Sequence, residues 1–273
     1  YKMVYIGDQS QVTLLYESGL YGVASGTGQW IGLVTDHTID ESTNPFEIRY
    51  LGGAARDVDV FVNGPLDYRG TLTYNPQDWR LLGFALGSIS DTGSPSPYVH
   101  TLSATNSNDG NQFTSGTNRP FMSFTIEDFQ EGTAAGSHFK RTMIGCTIDS
   151  FTLRGEQGGL LEIETEYVAQ SGPFSSGAVT AVTAATTRPF LWQDVRLHIP
   201  SGTVYNEVNS FEFTVSNALE SPHYLNGSRV IPYPIPLNRD YGLTVELNAD
   251  QTRTKTLYNT YFIPGSVENI MLE

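Results

Sequence analysis

One long stretch occurs twice in this chain, and the repetition limits the architecture more than any other feature. Residues Tyr50–Gly87 read YLGGAARDVDVFVNGPLDYRGTLTYNPQDWRLLGFALG, and from Tyr224 the chain reads YLNGSRVIPYPIPLNRDYGLTVELNADQTRTKTLYN. Arg56, Asp67, Tyr68, Thr71 and Asn75 return as Arg229, Asp240, Tyr241, Thr244 and Asn248, all at a spacing of 173 residues. Asn44 and Glu47 fall on Asn217 and Glu220 at that spacing, while Leu51 and Gly53 fall on Leu225 and Gly227 one residue later, as a single insertion would give. The period is too long for a solenoid. It predicts two tandem copies of one small domain, which 273 residues can hold.

Residues 1–29, rich in Gly, read as an extended N-terminal arm with no place in a compact core. The first domain spans 30–170, a small, uncharged linker covers 171–187, and the second domain spans 188–273. The first strand is WIGLVTDHTI (30–39). Residues 56–62 alternate Asp57, Asp59 and Phe61 against Val58, Val60 and Val62, a strand with two unlike faces. Asn63-Gly64 is a hairpin signal that predicts pairing with 68–74. Asn75 is placed to cap a helix that has Pro76 at its first position and Gly87 at its end. Asn248 repeats the cap in the second copy. Further strands are expected at 121–129, 139–154 and 160–169, then near 191–199 and 207–217. Residues 88–118 lack an apolar period and run far beyond the usual loop length of about 4–6 residues; Val99, Leu102 and Phe113 suggest that part of this loop docks on something. The fold class is therefore mainly β, a β-rich α+β chain with one helix per domain. The second copy stops opposite Val99 of the first, so it reads as incomplete at its C-terminal end.

A net charge of −14, with only Lys2, Lys140 and Lys255 among the lysines and no basic run, excludes tight binding to nucleic acid, which needs cations to displace counterions. No apolar run is long enough to span a membrane, and YKMVYIG shows no signal peptide. Cys146 is the single cysteine, so neither an internal disulfide nor a cysteine metal cluster forms, and assembly in a reducing host cytoplasm follows. Asp57 and Asp59 share a strand face but lack further metal ligands; a solvated face is the better reading. His37, His100, His138, His198 and His223 are scattered, without a metal-binding spacing, and read as surface or capping residues. No GxSxG occurs, Gly26-Thr27-Gly28 and Gly52-Gly53 lack the setting of a phosphate loop, and Cys146 reads as core. No catalytic residue, metal or cofactor is expected. Glu162, Glu164 and Glu166 in LLEIETEYVA form a stripe on one strand face, which marks either a plain solubility surface or the acidic lining of a channel.

Together, the LGG…R…YRGTLTYNPQDWRLLGFALG pattern at 51–87 and GCTIDSFTLRGEQGGLLEIETEYVAQSG at 145–172 resemble the tail tube proteins of long-tailed phages and tailed archaeal viruses, in their duplicated-barrel subgroup. The resemblance covers most of 30–273. It implies two tail-tube-like β-barrel or sandwich domains, a homotrimer that forms a pseudo-sixfold ring, stacking of rings through the arm and the 88–118 loop, contacts with other tail proteins, and a lumen through which viral DNA passes without tight binding. Glu162, Glu164 and Glu166 are then the candidate lumen residues, and Val99, Leu102 and Phe113 the candidate inter-ring contacts. The expected function is structural, in the virion tail, without enzyme activity. The competing reading is a β-rich module for carbohydrate or host surfaces, with Trp30 or Trp192 in a concave aromatic site. A hydrolase built on Asp57 and Asp59 is the third.

Overall fold

A computed structural model describes residues 10–17, 21–49, 60–92, 99–104, 122–131, 138–198, 204–248 and 271–272, with Lys255 and Asn259. The chain is mainly β. Strands β1 (Gln11–Glu17), β2 (Ala24–Gln29), β3 (Gly32–Ser42), β4 (Phe46–Ile48), β5 (Val60–Val62) and β6 (Asp67–Pro76) precede helix α1 (Arg80–Leu86). Then come β7 (Gly87–Thr92), β8 (Val99–Ala104), β9 (Phe124–Glu131), β10 (His138–Glu156), β11 (Glu162–Ala169) and β12 (Phe174–Ser175). The rest comprises β13 (Leu197–His198), β14 (Val204–Tyr205), β15 (Val208–Ser216), β16 (Leu219–Glu220), β17 (Ile235–Pro236), β18 (Asp240–Leu247) and β19 (Met271–Leu272).

Strand β10 belongs to two layers. Its first half pairs with β9 and β12 in a back layer ordered β2–β1–β9–β10–β12. Its second half lies between β11 and β15 in a front layer ordered β3–β6–β11–β10–β15–β18. The strand changes layer at Gly145, where φ is +67° and the register against β9 shifts between Met143 and Cys146. A side chain at Gly145 would meet the Tyr21 ring at 2.7 Å, so glycine is required for both its backbone and its space. Alternating residues of both layers then meet in one core, with Leu72, Tyr74, Phe151, Leu153 and Ile163 from the front and Leu14, Phe124, Ile126 and Met143 from the back. Helix α1 closes it with Leu81, Phe84 and Ala85, the Phe84 ring meeting Phe124 edge-on at 5.0 Å.

The corner is held by a buried acid. Glu17 is fully buried, and its Oε1 accepts from the Gly145 N–H and the Thr125 hydroxyl, both at 2.8 Å. Its Oε2 accepts from the Gly22 N–H at 2.8 Å and the Ser123 hydroxyl at 2.5 Å. Four donors therefore surround the carboxylate, tying β1, the turn after it, β9 and the bend of β10 together.

Several expectations need correction. Residues 11–17 and 24–29 are not an extended arm: β1 pairs with β9 along its length and buries Leu14 and Leu15. Asn63-Gly64 does not make a hairpin of β5 and β6; β5 pairs with β4, and β6 lies between β3 and β11. Asn75 and Pro76 end β6, and α1 starts later without a side-chain cap, behind Trp79; Gly87 does end it, left-handed at φ 101°, with its N–H bonded to the Gly83 carbonyl. Inside the supposed structureless loop, β7 and β8 form a ribbon that pairs Ile89 with Leu102 and Thr92 with Val99. The 171–187 segment is laid along the first domain, where β12 joins β10 and the Thr180 N–H reaches Glu127. Near 191–199 there is a 3-10 turn at Trp192–Asp194 and then only the short β13. Residues 249–254, where the second helix would begin, lie outside the described residues.

The pairing of β3 with β6 is matched by that of β15 with β18. The first pair shifts register between Val34 and Asp36, the second between Val208 and Ser210. A non-glycine residue with positive φ follows each first strand, Asn44 (36°) and Ala218 (45°). These positions lie 174 residues apart, whereas Asp67 and Asp240, the strand partners of Ser42 and Ser216, lie 173 apart. The sequence matches of Asn44 with Asn217 and Glu47 with Glu220 are therefore one residue out of the strand register. Leu51 and Gly53 keep the longer spacing, so the length change falls between Gly53 and Arg56.

A candidate functional surface on the front layer

Residues on the outer face of the front layer follow from pairing register and the period of two. One rung reads Asp36, Thr73, Glu164, Thr152, Thr214 and Gly242 across all its strands. The next reads Thr38, Thr71, Glu166, Ser150, Ser216 and Asp240. On the other side come Glu162, Arg154, Glu212 and Thr244, then Glu156, Ser210 and Glu246. These rungs carry no large apolar side chain. The opposite face of the same strands supplies Leu72, Phe151, Leu153, Ile163, Phe211 and Val215 to the core. The polar face is thus a direct product of alternation in sequences such as SFTLRGE, EIETEYV and SFEFTVS.

Charge on this face is mostly negative, from Asp36, Asp40, Glu156, Glu162, Glu164, Glu166, Glu212, Asp240 and Glu246. The cations there are Arg69 and Arg154. Like charges on adjacent strands destabilise a sheet, and Arg154 relieves this where acids crowd most. Its Nε donates to Glu212 at 2.8 Å and its Nη1 to Glu164 at 2.5 Å, with Glu162 at 3.9 Å. Hydrogen bonding to Glu212 first and Glu164 second pushes the guanidinium pKa up further. Arg69 sits 3.7 Å from Asp149. The Glu162–Glu164–Glu166 stripe is therefore partly neutralised at one end, while Glu166 at the other accepts the Ser150 hydroxyl at 3.1 Å and stays exposed. Such a surface wets and repels polyanions.

The repeated residues occupy dissimilar surroundings. Tyr68 is 8% exposed and Tyr241 is 52% exposed. Asn75 donates to the Leu161 carbonyl of the neighbouring strand's approach, whereas Asn248 exchanges amide hydrogen bonds with Asn209. Asp67 accepts from Asn44 and faces His223, and Arg229 donates to the Gly64 carbonyl. Thr71 and Thr244 lie on the polar face. Val99 and Leu102 sit on β8. Arg56, Asp57, Asp59 and Phe113 lie outside the described residues.

His37 is not a surface residue. Its side chain is 4% exposed, with Nδ1 2.8 Å from Asp128 and Nε2 2.7 Å from the Tyr167 hydroxyl. The Asp–His–Tyr order resembles a relay, but Tyr167 is 1% exposed and burial pushes its pKa well up, so no substrate reaches a nucleophile there. It locks β3 and β11 to β9. His198 is also buried, and Cys146 lies in the core with its thiol pKa raised by burial. Trp30 donates to the Gln77 side-chain carbonyl, Trp79 stacks on Phe190 at 4.9 Å, and Trp192 opens the 3-10 turn two residues after Phe190. Among the described residues no cluster of His, Cys, Asp or Glu is placed to hold a metal, and no helix is long and apolar enough to cross a membrane.

Sequence reading found the β11 stripe but missed Arg154, Glu212 and Glu246. The signal was the alternation in SFEFTVS and LTVEL, which marks faces; only strand order shows that they share one. Comparison with known families gives a match over residues 7–267 to the model described as phage tail tube protein. No curated protein matches the chain.

Proposed function

Because the chain belongs to the phage tail tube protein family, a structural component of the virion tail, we propose that it is a two-unit subunit whose front layer lines a DNA conduit. Copies of the chain form trimeric, pseudo-sixfold rings in the host cytoplasm. The rings stack into a tube together with other tail components, and the tube passes the viral genome without binding it tightly. The carrying observation is the front layer itself, which runs from β3 through both sequence repeats to β18 with one polar, acidic face. The matched bulges of β3–β6 and β15–β18 support two quasi-equivalent units. Placing them in a ring brings like faces to like positions around an axis. Strand β3 at one edge and β18 at the other have a single neighbour each among the described residues, and exposed edges are relieved by pairing with further strands.

An acidic wall suits a conduit because repulsion from phosphates acts only within about a Debye length, ~10 Å at 0.1 M salt. DNA is kept off the wall without being stopped. The β7–β8 ribbon, with Val99 and Leu102, supports stacking between rings. Negative-stain microscopy of the purified chain tests the reading: rings or tubes are expected, and a monomer that persists at high concentration would overturn it.

A further inference from the structure

The second unit grips the first at a place separate from the β10–β15 pairing. The Leu66 N–H donates to the Arg229 carbonyl at 2.8 Å, Leu66 and Val230 forming an isolated parallel bridge. The Arg229 Nε–H donates to the Gly64 carbonyl at 2.8 Å. His223 Nε2 lies 3.0 Å from Asp67 Oδ1, and Leu219 and Ile231 pack on Val168. The segment between β15 and β18, with its β16–β17 ribbon, thus clasps the start of β6 and the end of β11.

The first unit has the corresponding segment between β3 and β6, and its ribbon is β4–β5. There the apolar side chains face solvent: Phe46 is 59% exposed, Phe61 65%, Val62 43% and Val60 41%. Phe46 stands opposite Val62 and Ile48 opposite Val60, so one face of the ribbon is continuously apolar. Exposed apolar patches of this kind mark interaction sites. The gripped positions also have counterparts. At the β6–β18 spacing, Gly64 corresponds to Leu237, Asp67 to Asp240 and Tyr68 to Tyr241. Leu237 is 60% exposed and Tyr241 52% exposed, and Asp240 is exposed too. At the β3–β15 spacing, His223 corresponds to Arg49. Arg49 lies 3.7 Å from Glu47, and both side chains are more than half exposed.

We propose that the β4–β5 ribbon of one copy clasps the start of β18 in a second copy, with Arg49 paired to Asp240 of that copy. The contact repeats between copies what the β16–β17 ribbon does within one. It rests on the reading of the chain as a self-assembling two-unit subunit, and it names the surface that joins unit one to the next unit two. Exposed apolar groups on both sides become buried, and an arginine–aspartate pair stands where the internal contact has histidine and aspartate. The internal clasp costs no association entropy; the external one needs the stronger charge pair and the larger apolar ribbon.

Charge exchange tests this. Arg49→Asp and Asp240→Arg are made singly and together in the full chain, and the assembled fraction is followed by sedimentation velocity across concentration. Circular dichroism and thermal melts check that each variant folds, which the exposure of both positions favours. Each single exchange should raise the concentration of half-assembly about tenfold, as an attraction becomes a repulsion, and the double exchange should restore most of it. Phe46→Asp, on the apolar face of the ribbon, should weaken assembly without lowering the melting temperature. Rings that form normally in both single variants, or a double variant no better than the singles, overturn the clasp while the conduit reading stands. A wild-type chain that stays monomeric overturns both.

Discussion

Replacing Glu17 by Ala should destabilise the chain by about 3–5 kcal/mol, the range for removing one partner of a buried charged network. The figure follows from the contacts. Glu17 is fully buried, and it accepts from Gly22 and Gly145 backbone N–H groups and from the Ser123 and Thr125 hydroxyls. A hydrogen bond to a charged group contributes roughly 1.5–3 kcal/mol, and a stranded buried donor costs about 1–3 kcal/mol. The hydroxyls can rotate to other acceptors, while the two N–H groups are fixed by the backbone, so the full sum is not reached. For a chain of this size the melting temperature should fall by about 10 °C. Glu17→Gln should cost less, about 1–2 kcal/mol, because one oxygen remains and only one pair of donors meets an NH2 group. Denaturant melts followed by tryptophan fluorescence and far-UV circular dichroism give both values. An Ala variant within 1 kcal/mol of wild type would refute the claim that this carboxylate holds the corner of β10, and with it the account of how the front layer is supported.

Changing Glu162, Glu164 and Glu166 together to Lys should convert a surface that ignores DNA into one that retains it, with binding that weakens steeply as salt rises; filter retention of duplex DNA by assembled protein measures this, and unchanged retention would place the stripe away from the genome path. Burial raises the Glu127 pKa, but the Lys140 ammonium at 2.9 Å and the Thr180 N–H outweigh it, leaving a net value below the ordinary carboxylate range. Its stabilisation is therefore complete above the unfolded pKa and is lost as pH falls through the lower folded value. Lys140→Met should flatten that acid-side loss in melts between pH 6 and about 2, and an unchanged pH profile would remove the pair from the account. Deleting residues 92–116 should leave a folded ring that no longer stacks, seen as rings without tubes by microscopy; tubes of normal length would refute the inter-ring role.

What the sequence revealed and what it hid divide along physical lines. Period-two alternation in EIETEYV showed which residues of β11 share a face, because side-chain direction is a local property of a strand. It did not show that Glu212 and Glu246 belong to that face, since strand order is set by tertiary packing. The repeat of Asp67, Tyr68, Thr71 and Asn75 located corresponding strands, yet identical residues came to differ: Tyr68 is buried and Tyr241 exposed because a β11 neighbour covers β6, while β18 has none among the described residues. Asn75 looked like a helix cap because Asn-Pro commonly starts helices, but its amide is used by the Leu161 carbonyl and the strand continues to Pro76. The glycine-rich surroundings of β1 mask QVTLLYE, whose Leu14 enters the core and whose Glu17 finds donors far away in sequence. His37 could not be assigned from its neighbours, because its partners Asp128 and Tyr167 come from two other strands.

In the proposed closed ring of two-unit subunits, the acidic face of the front layer turns inward. Cryo-electron microscopy of the purified, assembled chain tests it most directly. Three copies per ring are expected, with Glu162, Glu164 and Glu166 of each facing the bore. A ring with those residues on its outer surface, or one whose bore is lined by another face, would contradict it.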